Sequence, residues 1–338
     1  MSTAGLALWF TAPRCVELRQ APPIAPLAGQ VLVQTECSAI SPGTELLFYR
    51  GQFPQDMALD ANIQALSGPS QYPLQYGYSL AGRVCEAGPG VDPGWVGRRV
   101  FAFQPHQQFF AAAPESLFAI PDDIPSVDAV FLPNMETAAS LVMDAAPLLG
   151  ERVAVFGQGI VGLLTAALLA RCPLQRLVTL DRYPVRRTAS CQLGAHASLD
   201  PASPTALADV RQALGGEADL TFEVSGAPQA LDQAIAVTGF GGRVMIGSWY
   251  GSKPVSLNLG GEFHRSRIRL LSSQVSTIDP SLSGRWSKAR RFELVWDLLR
   301  SLRPSHWVTH TFPFENAPQA YALLDKQPAE PIQVLLTY

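Results

Sequence analysis

The hexapeptide Gly157-Gln158-Gly159-Ile160-Val161-Gly162 carries the clearest chemistry in the sequence, because of what stands on either side of it. An apolar run at 152–156 leads into it, and a helical stretch over 160–171 leads out. A strand that turns on glycines into a helix presents unpaired backbone amides at the helix start, where the N–H groups and the helix dipole favour a phosphate. Gly157 makes the tight turn, Gly159 lets the amides of Ile160 and Val161 approach a pyrophosphate, and Gly162 permits close helix–strand packing. The next strand ends on Asp181, 181 − 157 = 24 residues after the first glycine. That is close to the ~20 expected for the acid that binds the adenosine ribose hydroxyls. The pattern predicts a dinucleotide site that prefers NAD(H), because the Asp181 carboxylate would repel the extra phosphate of NADP(H). Arg182, Arg186 and Arg187 follow directly and offset that repulsion, so NADP(H) stays possible.

These residues need elements to hold them, and hydrophobic periodicity indicates which. From about residue 152, continuous apolar runs (152–156, 176–181, 218–224, 242–246, 268–271) alternate with helical stretches such as 160–171 and 185–193. That is the pattern of a parallel sheet covered on both faces. Residues 1 to about 120 instead alternate apolar and polar positions, at 30–37 and 80–86, between Gly/Pro clusters. They predict an antiparallel, barrel-like β unit. A helix interrupted by Pro133 and Pro147 is expected over 128–149, an amphipathic helix over 289–302, and a strand at the C-terminus. The fold class is α/β, a doubly wound parallel sheet joined to a β-rich unit.

Composition narrows the partners. A chain of 338 residues with 47% hydrophobic and only 16% charged side chains is globular rather than disordered and long enough for two domains. A net charge of −3 gives no electrostatic footprint for nucleic acid or an anionic membrane. The five cysteines are scattered without a C-x-x-C pair, which argues against a disulfide framework or a zinc knuckle. Residues 153–170 carry no charge and reach the lower limit for crossing a bilayer. Their three glycines, glutamine and threonine fit a buried strand running into a buried helix better. The N-terminus has no basic segment followed by a long apolar core, so a cytoplasmic protein with a small-molecule substrate is expected.

The order of parts resembles the medium-chain dehydrogenase/reductase superfamily, of the alcohol-dehydrogenase type, over nearly the whole chain. The resemblance is carried by the glycine motif, by Phe222-Glu223-Val224-Ser225-Gly226, by 241–247 (GGRVMIG), and by 181–195 with its closing Leu193-Gly194-Ala195. Segments 38–45 (SAISPGTE), 263–275 (FHRSRIRLLSSQV) and 285–291 are similar to the branch containing hydroxyethyl-bacteriochlorophyllide dehydrogenase. The resemblance implies a GroES-like catalytic domain at 1–124, a Rossmann domain at 125–273 and a return to the catalytic domain at 274–338. It also implies a homodimer, and hydride transfer between a secondary alcohol and a carbonyl, here on a bulky or planar substrate. Thr137, Ser225 and Gly226 would lie beside the nicotinamide.

The departures from that family bear on the chemistry. Zinc-dependent members begin their metal site with Cys-Gly-Thr-Asp, whereas this chain reads Ser41-Pro42-Gly43-Thr44-Glu45. The ligand in Gly-His-Glu is replaced in Gly77-Tyr78-Ser79, and the third falls near Leu132-Pro133, with Glu136 the one acid nearby. The four-cysteine structural lobe is also missing. No zinc is expected, since neutral hydroxyls hold it poorly. Hydrogen-bond donors must then stabilise the oxyanion. Thr44 matches the family's proton-relay hydroxyl, Tyr78 takes the place of a metal ligand, and His106 falls where relatives line the substrate pocket or else in a solvated loop. Phe48, Tyr49, Phe53, Phe103, Trp249 and Tyr250 supply a wide apolar pocket or plain core packing. Two other functions fit the same motifs: a quinone or enone reductase, and a cofactor-binding protein without turnover.

Overall fold

Strand Val31–Ile40 is buried along almost its whole length, and a strand without a solvent face needs neighbours on both edges. It becomes the centre of the first of two units into which the chain divides, Met1–Pro133 with Trp296–Tyr338. The computed structural model describes residues 3–60 and 62–338. Strands β1 (Leu6–Ala12) and β2 (Cys15–Gln20) form an antiparallel hairpin. They are followed by β3 (Val31–Ile40), β4 (Leu80–Ala87), β5 (Arg99–Ala102), β6 (Phe109–Ala112) and β7 (Phe118–Ala119).

The second unit, Asn134–Val295, contains β8 (Arg152–Phe156), β9 (Arg176–Leu180), β10 (Ala197–Leu199), β11 (Ala218–Glu223), β12 (Thr238–Ile246) and β13 (Arg269–Ser272). The chain then returns to the first unit with β14 (Val308–Pro313) and β15 (Gln333–Thr337). These complete a sheet of order β14-β15-β3-β4-β5-β7, with β6 also paired to β3. All its pairings are antiparallel except β14 with β15. Phe10, Phe48, Tyr76, Phe314 and Tyr321 fill a core beside that sheet.

In the second unit six parallel strands run in the order β10-β9-β8-β11-β12-β13. The order in which strands are added reverses between β8 and β11, which makes a crevice at their carboxyl ends. Both faces are covered. Ala154 and Phe156 of β8 join one buried cluster, while Val153 and Val155 join the other, as a period of two requires. This accounts for the uncharged stretch 153–170, which is β8, a glycine turn and the helix Ile160–Leu169. No helix among the described residues is long and apolar enough to cross a membrane.

The single interrupted helix expected over 128–149 is two helices, Ser126–Ala129 and Leu132–Ala145. Pro133 does not break the second helix. It sits in the first turn, where its missing N–H had no intrahelical partner to lose.

The glycine turn is forced by contact. Gly157 has φ +95°, and a Cβ there would lie 2.5 Å from the Ser225 Cα. A Cβ on Gly162 would lie 1.9 Å from the Gly157 carbonyl oxygen, so helix and turn can close only on glycine. Gly162→Ala is therefore expected to destabilise the protein by about 1–3 kcal/mol, the usual range for overpacking. Urea unfolding checks this, and a midpoint equal to wild type would contradict it.

Candidate functional site

At the crevice of the second unit, the helix Ile160–Leu169 points its N-terminus at the carboxyl end of β8. Its first-turn amides, those of Ile160, Val161 and Gly162, have no partners within the helix. Gly159 precedes them, and a Cβ built on it would meet nothing within 4 Å, so the backbone there is open to an approaching group. The Asp181 carboxylate is 7% exposed and ties the end of β9 to the turn. It accepts from the Gln158 N–H at 2.7 Å and the Tyr183 N–H at 2.9 Å, and Arg186 Nη1 lies 3.9 Å away. Arg186 also stacks over the Tyr183 ring, Arg182 is exposed, and Arg187 donates to the carbonyls of Asp181 and Arg182. Open helix amides, a bare glycine and an acid at the next strand end fit a dinucleotide.

Across the crevice, Glu223 closes β11 with no solvent exposure. It accepts from the Ser225 N–H at 2.8 Å, from the Ser225 hydroxyl at 2.5 Å and from the Tyr250 phenol. Burial and the adjacent carboxylate push the Tyr250 phenol far above its usual range, so it stays a donor. This pins Ser225 against Gly157 and leaves Gly226 at φ +67° on the crevice rim. Thr137 is half-buried on the helix Leu132–Ala145 of the same region of sequence.

The first unit brings three hydroxyls together. Thr44 begins the short helix Glu45–Arg50, yet its side chain makes no capping bond to that helix. It lies beside the Tyr78 phenol, which donates to Ser41 Oγ at 2.5 Å. Burial pushes the Tyr78 phenol up to about 12, against the pull of the Ser41 and Thr44 hydrogen bonds, so it is protonated at neutral pH.

Behind the hydroxyls lies a network with no solvent exposure at Ser38, Glu45 or His106. His106 Nε2 is 3.0 Å from Glu45 Oε2, and its Nδ1 is 2.7 Å from Ser38 Oγ, which also meets the Tyr338 phenol at 2.8 Å. Glu45 accepts further bonds from the Ser41 N–H at 2.7 Å and from the Tyr321 phenol. His106 therefore lies inside the core, neither on an open wall nor in a solvated loop. Phe48, Tyr49 and Phe53 are core residues as well, with Phe48 stacked on Tyr76, while Trp249 is 41% exposed.

Zinc does not fit these donors. A zinc ion needs three or four converging nitrogen, sulfur or carboxylate ligands. Among the described residues no group of three or more His, Cys, Asp or Glu side chains is placed to hold a metal ion. Ser41 and Tyr78 offer neutral oxygens, and both nitrogens of His106 are engaged. Glu136 accepts from Arg291 Nη2 at 2.7 Å and lies 3.6 Å from Lys288 Nζ.

Glu45, Ser38, Tyr321, Tyr338 and Glu223 were not singled out by sequence reasoning as functional. Glu45 and Glu223 each follow a motif residue, which is a usable signal. Tyr321 and Tyr338 sit 276 and 300 residues after their partners Glu45 and Ser38, with no local pattern to mark them.

Residues 161–293 match the family model described as zinc-binding dehydrogenase. D-guloside 3-dehydrogenase of Escherichia coli (strain K12) is 25% identical over 344 residues, covering 97% of this chain and 98% of that protein. (R,R)-butanediol dehydrogenase of Bacillus subtilis (strain 168) is 28% identical over 202 residues, 52% of this chain and 58% of that protein. The crystal structure of the short chain alcohol dehydrogenase RspB from E. coli CFT073, complexed with the cofactor NADH, superposes with a TM-score of 0.79. It is 20% identical and covers 99% of both chains, which shows the shared fold. Over 161–293 the chain is thus similar to zinc-binding dehydrogenases, the relatives it matches along its length are dehydrogenases, and its fold is the one seen in the NADH-complexed RspB structure.

Proposed function

We propose, on the zinc-binding dehydrogenase family that these matches support, that this chain interconverts a secondary alcohol and a carbonyl by hydride transfer, without zinc. The observation that carries this reading is the hydroxyl trio of Ser41, Thr44 and Tyr78, in which Ser41 and Tyr78 take the positions that the resemblance gives to zinc ligands and Thr44 that of its proton relay. A developing alkoxide needs a positive ion or hydrogen-bond donors within reach. Thr44 is the principal donor, since its hydroxyl is not committed to capping its helix. Tyr78, protonated at neutral pH, is the second. His106 has no exposed surface and does not reach a substrate itself.

When bound, the dinucleotide supplies or accepts the hydride. The amides of Ile160, Val161 and Gly162 hold its phosphates, and Asp181 meets its adenosine ribose, which favours NAD(H) over NADP(H). Arg182 and Arg186 border that end of the site, while Thr137, Ser225 and Gly226 border the nicotinamide end. A bulky or planar substrate, a homodimer and a cytoplasmic location belong to the same reading.

Thr44→Val keeps the β-branched shape and removes only the hydroxyl. It is expected to lower kcat by ~10²–10³, the usual cost of a lost oxyanion donor, with NADH affinity unchanged and a smaller loss for Tyr78→Phe. Steady-state assays over secondary alcohols, ketones and enones check this. Wild-type turnover in both variants would overturn the donor assignment, and reduction of enones alone would overturn the reaction class. Dissociation constants test the cofactor assignment. NADH should bind more tightly than NADPH, and Asp181→Ala should erase the difference. Tighter NADPH binding by the wild type would contradict it.

A further inference from the structure

The buried row Ser38–His106–Glu45 has the spacing of a hydrolytic triad, with Ser38 Oγ 2.7 Å from His106 Nδ1 and Glu45 Oε2 3.0 Å from Nε2. It cannot act as one, because all three side chains are fully buried and Ser38 is also held by the Tyr338 phenol. The row has a different outlet. A carboxylate only accepts hydrogen bonds, so His106 Nε2 carries the proton it shares with Glu45. The Tyr321 phenol and the Ser41 N–H point at the same carboxylate. Ser41 in turn receives the Tyr78 phenol on its own hydroxyl.

A second contact reaches Tyr78 from its other side. Gly77 has φ +121°, and a Cβ on it would lie 2.6 Å from the His106 ring carbon Cδ2. The imidazole thus lies directly against the backbone of the residue preceding Tyr78. His106 meets Tyr78 along two routes, through Glu45 and Ser41 and through Gly77. The first passes through a backbone amide, which fixes a position but does not hand on a proton.

We infer that His106 and Glu45 are positioning residues that set the orientation of the Tyr78 hydroxyl toward the substrate oxygen. The inference builds on the reading of Tyr78 as a donor and gives the buried pair a task in it. A core network with a purely structural role would leave Tyr78 where it stands.

Tyrosine labelled with ¹³C at Cζ reports the hydroxyl directly in the full-length protein. The Tyr78 signal is the one lost in Tyr78→Phe. Glu45→Gln and His106→Asn are each expected to move it while leaving the Tyr183 signal of the second unit in place. Should Glu45→Gln not fold, Ser38→Ala removes the Nδ1 partner of His106 and is expected to move the signal the same way by less. Turnover supplies the second readout. His106→Asn should lower kcat, at most by the ~10²-fold of a lost donor, and add nothing in a Tyr78→Phe background. KM for NADH should not change in either background. A Tyr78 signal unmoved in the folded variants would overturn the inference. A signal that moves while Tyr78→Phe turns over at the wild-type rate would leave the positioning intact and remove the donor assignment instead.

Discussion

A carboxylate without solvent must be met by donors on every side, and Glu45 imposes that demand on the first unit. Leaving such a charge unpaired costs several kcal/mol, which few proteins can spare. The chain meets it with the neighbouring Ser41 amide and, from far along the sequence, with the His106 imidazole and the Tyr321 phenol, while Ser38 and Tyr338 back the imidazole. Strand β3 pairs with β15, and that pairing brings Tyr338 to the Ser38 hydroxyl behind the imidazole.

The second unit is organised by steric exclusion instead of charge. Gly157 and Gly162 leave room for backbone where any side chain would collide, and this lets a helix begin almost on top of the strand that precedes it. Glu223 and Asp181 then fasten the two strand ends that flank the turn, each by accepting bonds from nearby amides. The same oxygen-to-amide bonding that orders the turn also fixes the sign of charge around it. Unpaired amides stand at the helix end, while a carboxylate stands at the end of β9.

Much of this was legible in the sequence, for physical reasons that can be named. The parallel sheet announced itself because strands buried on both faces are mostly apolar, as β8 is from Val153 to Phe156. The glycine turn was readable because its spacing is dictated by backbone contact rather than by side-chain choice. That positions 41 and 78 carry neutral hydroxyls was visible from residue type alone. Burial of His106 was not, since a Gln-Pro-His-Gln-Gln segment reads as a polar loop. Only the fold reveals that Glu45 and Ser38 wait on either side of its ring. Tyr321 and Tyr338 were invisible for the same reason, as their partners lie at the other end of the chain. Pro133 misled in the opposite direction, because a proline that starts a helix and one that ends it look alike in sequence.

The account turns on the proposed alcohol–carbonyl interconversion being carried by hydroxyl donors without a metal. Zinc content and turnover measured on one preparation, before and after exhaustive dialysis against a strong chelator, test this most directly. The account predicts zinc well below one ion per chain and turnover unchanged by the chelator. About one tightly held zinc per chain, with activity lost on its removal and restored on its return, would contradict it.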